Sequence, residues 1–219
     1  MRRLVHLAFV FALMASGDAH AMSYGLAAFQ NGRTAIVAEG RIQRDEAPRL
    51  LAFLQAAGIG SLPRTLVISS PGGELLGAVM LGQTLRQLGI RTVVGSIAAA
   101  ANGQAGLGVL MGGTTRSVVP GSLVGVHSPQ PVMVVGGRAY VPDRAATRYL
   151  VQRTGPALRL YARQMGVSSS LIDVANGVPH TSVRNLSSSE LARYSLVTQR
   201  RSSRTLKKHE APRRQRSRS

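Results

Sequence analysis

The chain has 219 residues, 44% of them hydrophobic, which is enough apolar material for a packed core and excludes wholesale disorder. It contains no cysteine, which excludes a disulfide, a thiol nucleophile and a cysteine-ligated metal. Its 27 Lys and Arg against 9 Asp and Glu give a net charge of +18, a value that points to nucleic acid until its distribution along the chain is considered.

The first 21 residues read as a secretory signal. Arg2 and Arg3 form a basic start, residues 4–15 are apolar except for His6, and Ala19-His20-Ala21 is an A-x-A cleavage site. The apolar run is too short for a membrane anchor, which needs about 20 residues. Cleavage is therefore expected after Ala21, leaving a mature protein that starts at Met22 and is periplasmic or secreted.

Residues 34–40 form a short extended run. Residues 45–57 carry Ala47, Leu50, Leu51 and Leu54 on one helical face, with Pro48 tolerated in the first turn. Residues 64–70 are a near-continuous apolar run, the pattern of a buried parallel strand, and Pro71-Gly72-Gly73 ends it. Residues 74–88 are helical and apolar on two sides, hence buried. A strand is predicted over 91–95, a helix opening within the small-residue segment 98–113, and two extended pieces over 116–120 and 122–127. This β-α-β-α-β order implies a mainly parallel sheet. Residues 132–141, broken by Gly136-Gly137, read as a hairpin. A long helix over 143–165, interrupted near Gly155-Pro156, follows. A last short helix over 187–194 has Ser187 and Glu190 placed as a capping box.

Residues 200–219 hold nine Lys or Arg, one Glu and almost no apolar side chain, and are expected to be a disordered basic tail. About half of the positive charge thus lies outside the folded body, 22–199, which is read as one domain. That body lacks the interleaved aromatic and basic stripe that stacks bases, and export separates it from the genome, so nucleic acid is not an expected partner. The tail is either a solvated extension or a contact to anionic lipid or cell-wall polymer. Five His with no HExxH or other close His/carboxylate cluster predict no metal site, and no cofactor is expected.

Three landmarks occur in order: Ser69-Ser70-Pro71-Gly72-Gly73-Glu74, the small-residue segment 98–113, and Leu123-Val124-Gly125-Val126-His127. A closing run, Leu186-Ser187-Ser188-Ser189-Glu190-Leu191-Ala192-Arg193-Tyr194-Ser195-Leu196-Val197, follows. Together they resemble the proteolytic subunit of Clp protease and the wider Clp protease/crotonase superfamily, above all its exported periplasmic members. The resemblance spans residues 34–198. It implies an α/β fold of the ββα superhelix type with a mainly parallel sheet, and possible homo-oligomers. It also implies that Gly72 and Gly73 supply an oxyanion hole and a lip for an extended peptide, and that His127 is the general base. Close backbone approach is the physical reason for glycines at such a turn.

The resemblance then breaks. Counting back from His127 by the family's spacing puts the nucleophile's place at Gln104 or Asn102, depending on the gap chosen. Residues 98–108 hold no Ser, Thr, Cys or Lys. The exported relatives commonly read Cys-x-Ser-Ala-Cys here, and those places fall on Asn102, Gln104 and Gly106. The place of the triad's acid falls near Pro179-His180, and Asp173 is the one carboxylate in the neighbourhood, a weak candidate better suited to a helix cap or surface. An amide has no proton whose removal yields a usable attacking oxygen, so covalent catalysis is lost and only binding and oxyanion terms remain.

The leading expectation is a pseudoenzyme: an exported Clp protease-like protein acting by binding or assembly, with a peptide or acyl ligand in its cleft. The alternatives are a serine hydrolase whose nucleophile is Ser96, Ser128 or a hydroxyl from another subunit, a crotonase-type acyl-binding enzyme using backbone donors with Glu74 as the nearest carboxylate, and a surface binder acting through the tail.

Overall fold

In the computed structural model, which describes residues 21–28, 33–58, 62–95, 104–130, 133–135, 138–140 and 143–198, the apolar runs become strands and the helical stripes become helices. The order is β1 (Ser23–Ala28), β2 (Thr34–Glu39), α1 (Glu46–Ala56), β3 (Thr65–Ser69), α2 (Leu75–Gln87), β4 (Arg91–Val94), β5 (Gln104–Ala105), α3 (Leu107–Gly112), β6 (Arg116–Val118), β7 (Leu123–Val126), β8 (Met133–Val135), β9 (Arg138–Tyr140), α4 (Arg144–Gln164), α5 (Ser170–Asn176), β10 (Arg184–Asn185) and α6 (Ser188–Arg193). The signal segment before Ala21, the basic tail, Ser96 and Asn102 lie outside the described residues.

β1, β2, β3, β4 and β6 form a five-stranded sheet in that order. Only β1 is antiparallel to its neighbour; the other pairs are parallel. β3 is buried along nearly its whole length, as its apolar run requires of a strand covered on both faces. A smaller sheet has the order β10-β7-β5, with β5 parallel to β7 and β10 antiparallel to it. β4 and β6 lie in the first sheet, and the strands that follow them, β5 and β7, lie in the second. The same corner is turned after β2 and β3, where Ile42 and Gly73 form a parallel bridge. Each of the first passages runs strand, corner, helix: β2-Ile42-α1, β3-Gly73-α2, β4-β5-α3. This is a mainly parallel α/β architecture with the ββα order that the resemblance implies.

Two expectations are corrected. The helix sought within 98–113 starts only at Leu107, because Gln104 and Ala105 are drawn into β5 by pairing with Leu123 and Val124. α4 runs unbroken through Pro156. Proline removes the bond to the carbonyl four residues back, but Pro156 and Gln152 are both on the solvent side, where water satisfies that carbonyl. The hairpin β8-β9 and the capping box of α6 are as predicted: Ser187 Oγ accepts the Glu190 N–H and the Glu190 carboxylate accepts the Ser187 N–H at 2.9 Å.

Two contacts hold the small helix α3 in place. A Cβ on Gly112 would collide with the backbone of Gly82 in α2, so the helices meet backbone to backbone. Tyr161 of α4 donates its hydroxyl to the Gly108 carbonyl at 2.7 Å. Beneath them lies Arg116, only 3% exposed. Its guanidinium donates to carbonyls of Met111 in the last turn of α3 and Gly113 after it, Met165 and Gly166 after α4, and Ser195 and Leu196 after α6. The negative ends of three helices thus surround one cation. Burial, and secondarily the nearby Arg86, lowers its pKa to about 10.

Candidate functional site

β3 ends at Ser69, and the turn after it is held by the buried Ser70, whose Oγ accepts the Gly72 N–H at 3.1 Å. Gly72 and Gly73 have φ of 102° and 152°, a region that side chains with a Cβ disfavour. A Cβ on Gly73 would also run into the Ile42 carbonyl. The Gly72 carbonyl accepts the Ile42 N–H at 2.9 Å and the Ile42 carbonyl accepts the Glu74 N–H at 2.9 Å. These two bonds occupy one edge of the segment. By the alternation of a parallel bridge, the N–H and C=O of Gly73 face the other edge, and neither has a hydrogen-bond partner among the described residues. Of the two expected oxyanion donors, the Gly72 N–H is spent inside the turn and the Gly73 N–H is available.

The start of α3 lies against this turn. Gly106 caps α3 with extended backbone, and a Cβ on it would be 3.6 Å from the Gly72 Cα and 2.9 Å from Ile42 Cδ1. α2 begins at Leu75, directly after the turn. Two helix N-termini therefore border Gly72 and Gly73, one of them beside the Glu74 carboxylate, and their first N–H groups, which have no partner within a helix, point toward this turn as donors for a carbonyl oxygen.

His127 follows β7 and is exposed. Its Nδ1 is 2.8 Å from the Ser128 carbonyl. A carbonyl only accepts, so Nδ1 carries the proton in this contact. The Ser128 N–H in turn donates to the Val178 carbonyl at 2.8 Å, which fixes the loop. Ser128 itself is buried. Gln104 pairs with Leu123 at the start of β7, and His127 comes four residues later, about 13 Å further along a strand. Gly106 lies at the Gly72 turn, and the β5–β7 register sets His127 past the far end of β7 from Gln104.

Asp173 lies in the first turn of α5 and accepts two hydrogen bonds from Arg159, at 3.0 Å and 2.6 Å, on the surface. The acceptor that orients the His127 imidazole is the Ser128 main chain, and Asp173 serves the α4–α5 contact instead. Three site residues carry little sequence signal: Ile42, the bridge partner of Gly73; Ser70, which locks the turn; and Gly106, which lets α3 close on it. Of these, Ser70 is marked by its place beside Pro-Gly-Gly and Gly106 by the Cys-x-Ser-Ala-Cys spacing, whereas nothing marks Ile42. Among the described residues no group of His, Asp and Glu has the arrangement to hold a metal ion.

No family model and no curated protein matches this chain. Among the solved structures similar to it are two of one protease. One is a serine-to-alanine mutant of the 1510-N membrane-bound stomatin-specific protease, at 16% identity and a TM-score of 0.47, covering 75% of this chain and 76% of that one. The other is a lysine-to-alanine mutant of the same protease in complex with a substrate peptide, at 15% identity and a TM-score of 0.47, covering 75% and 72%.

Proposed function

We propose that this chain is an exported, catalytically silent Clp protease-like protein that holds an extended peptide along the edge formed by Gly73 and the start of α3. One observation carries the reading. The segment that abuts Gly72 reads Gln104-Ala105-Gly106, and no residue of β5 or α3 bears a hydroxyl, thiol or amine. A ligand carbonyl placed there meets N–H donors and, among the described residues of β5 and α3, no nucleophile, which supports binding without bond exchange. The C=O and N–H of Gly73, both without a partner among the described residues, favour a peptide over a simple acyl group, because a strand-like ligand uses both. Export after Ala21 fits a fold in which the Met22 side chain is fully buried.

A second reading rests on His127. An imidazole whose Nδ1–H is fixed by a carbonyl presents Nε2 as a base, and a hydrolase would need only a hydroxyl brought to it, with Ser96 the first to be searched. Reaction with a fluorophosphonate probe separates the two. The silent protein stays unlabelled while still retaining blocked, extended peptides on equilibrium dialysis. Labelling that maps to a serine, or failure to retain any peptide of a diverse blocked pool, overturns the binding reading.

A further inference from the structure

The longest helix, α4, carries five arginines and no acidic residue over its 21 positions. Arg159 is committed to Asp173. Arg148, Arg153 and Arg163 are exposed, and none of them is in an ion pair among the described residues. At about 100° per residue they fall with Tyr149 and Leu160 in an arc of about 140°. Tyr149 is 62% and Leu160 50% exposed, and the Arg153 guanidinium lies 5.9 Å from the centre of the Tyr149 ring. The described chain ends nearby. Thr198 Oγ1 accepts the Arg116 N–H at 2.7 Å, and the guanidinium of the same Arg116 reaches the carbonyl of Met165, the C-cap of α4. Thr198, the last described residue, therefore lies close to the end of the basic helix, and the sequence that follows it holds nine Lys or Arg over residues 200–219.

We infer that the outer face of α4 docks on an anionic phospholipid bilayer, with Arg148, Arg153 and Arg163 at the headgroup phosphates and Tyr149 and Leu160 in the interface. The charge of the face selects an anionic surface. The two apolar side chains within the same arc select a bilayer over a soluble polyanion, which would leave them in water. Arg153 stacked on Tyr149 keeps its charge at the rim of the apolar pair, the arrangement of an interfacial aromatic beside a basic residue. The inference is independent of whether the Gly72 cleft is catalytic. It differs from action through the tail alone, because it assigns the contact to side chains held on a rigid helix.

The test is sedimentation of the full mature chain with vesicles of phosphatidylcholine alone and of phosphatidylcholine and phosphatidylglycerol in equal parts. Binding is expected only to the second and is expected to weaken as salt is raised. Each basic residue near such a surface contributes roughly fivefold in affinity, so R148Q/R153Q/R163Q is expected to bind on the order of a hundredfold more weakly. The single reversal Arg148→Glu serves if the triple variant does not fold. Y149S/L160S is expected to weaken vesicle binding while leaving binding to polyphosphate unchanged. An α4 triple variant that binds vesicles as tightly as the unsubstituted chain assigns the contact to the tail and overturns the inference. So does a Y149S/L160S variant with no loss on vesicles, which would mark a site for soluble polyanions.

Discussion

Gly72 and Gly106 meet almost backbone to backbone: a Cβ added to Gly106 would stand 3.6 Å from the Gly72 Cα. The two glycines come from different passages of the ββα spiral, one after β3 and one before α3.

Gly106 has ordinary extended dihedrals, so substitution there strains packing and not backbone. In Gly106→Ala the new methyl meets the flexible end of Ile42 at 2.9 Å, and a stability loss of about 1 kcal/mol is expected. Gly106→Leu cannot be accommodated without moving the turn. It is expected to abolish peptide retention in equilibrium dialysis while costing about 1–3 kcal/mol in urea unfolding.

Arg116 is the largest single stake in stability. Arg116→Met replaces a buried cation that satisfies six carbonyls with a side chain that satisfies none. Each orphaned buried acceptor costs about 1–3 kcal/mol before relaxation, so a loss of at least about 3 kcal/mol is expected, read as a fall in the urea midpoint. Arg116→Lys has three donors on one atom and should recover only part of it.

The fold's frame was legible where hydrophobic periodicity was strong. β2, β3 and β4 and the stripes of α1 and α2 follow from apolar patterning, and the α6 capping box from two residues. β1 was not legible, because Ser23–Ala28 alternates poorly and is a strand by virtue of pairing with β2. Nor was the split into two sheets: Pro-Gly-Gly marks the end of β3, but no local pattern marks the corner at Ile42 or its bridge to Gly73. In the site, the Pro-Gly-Gly signal located the turn, but which glycine N–H stays free was decided by Ser70 and Ile42, through contacts between distant segments. Asp173 illustrates the reverse: a carboxylate at a plausible distance in sequence was claimed by Arg159, which sequence order does not reveal.

Glu46 is wholly buried and accepts hydrogen bonds from the Gln43 N–H at 2.8 Å and the Tyr24 hydroxyl at 3.1 Å, with Arg49 beside it. Desolvation by burial dominates and raises its pKa above 4.5. Between 4.5 and the raised value the folded state binds more protons than the unfolded one, so stability falls as pH rises through that window. Above the window the cost of the buried charge is fully present. The urea midpoint of Glu46→Gln should lack this component, so that its difference from the unsubstituted protein changes across the window. A difference independent of pH from 4 to 8 would contradict the raised pKa.

The mature chain is expected to begin at Met22. Met22 is fully buried and its carbonyl accepts from Arg49 at 2.7 Å, so processing at this bond leaves β1 and its anchor intact. Intact mass of the exported protein checks this. Met22→Ala should cost about 2–5 kcal/mol, whereas processing further downstream would remove the anchor altogether.

The central claim is that the cleft binds without cutting. The most direct measurement is hydrolysis of a diverse peptide and ester pool by the purified mature protein, compared with His127→Ala and Gln104→Ser. The account predicts no turnover above background in the unsubstituted protein, no change in His127→Ala, and at most weak activity in Gln104→Ser, because the register places His127 away from position 104. Robust turnover by the unsubstituted protein that disappears in His127→Ala would contradict it.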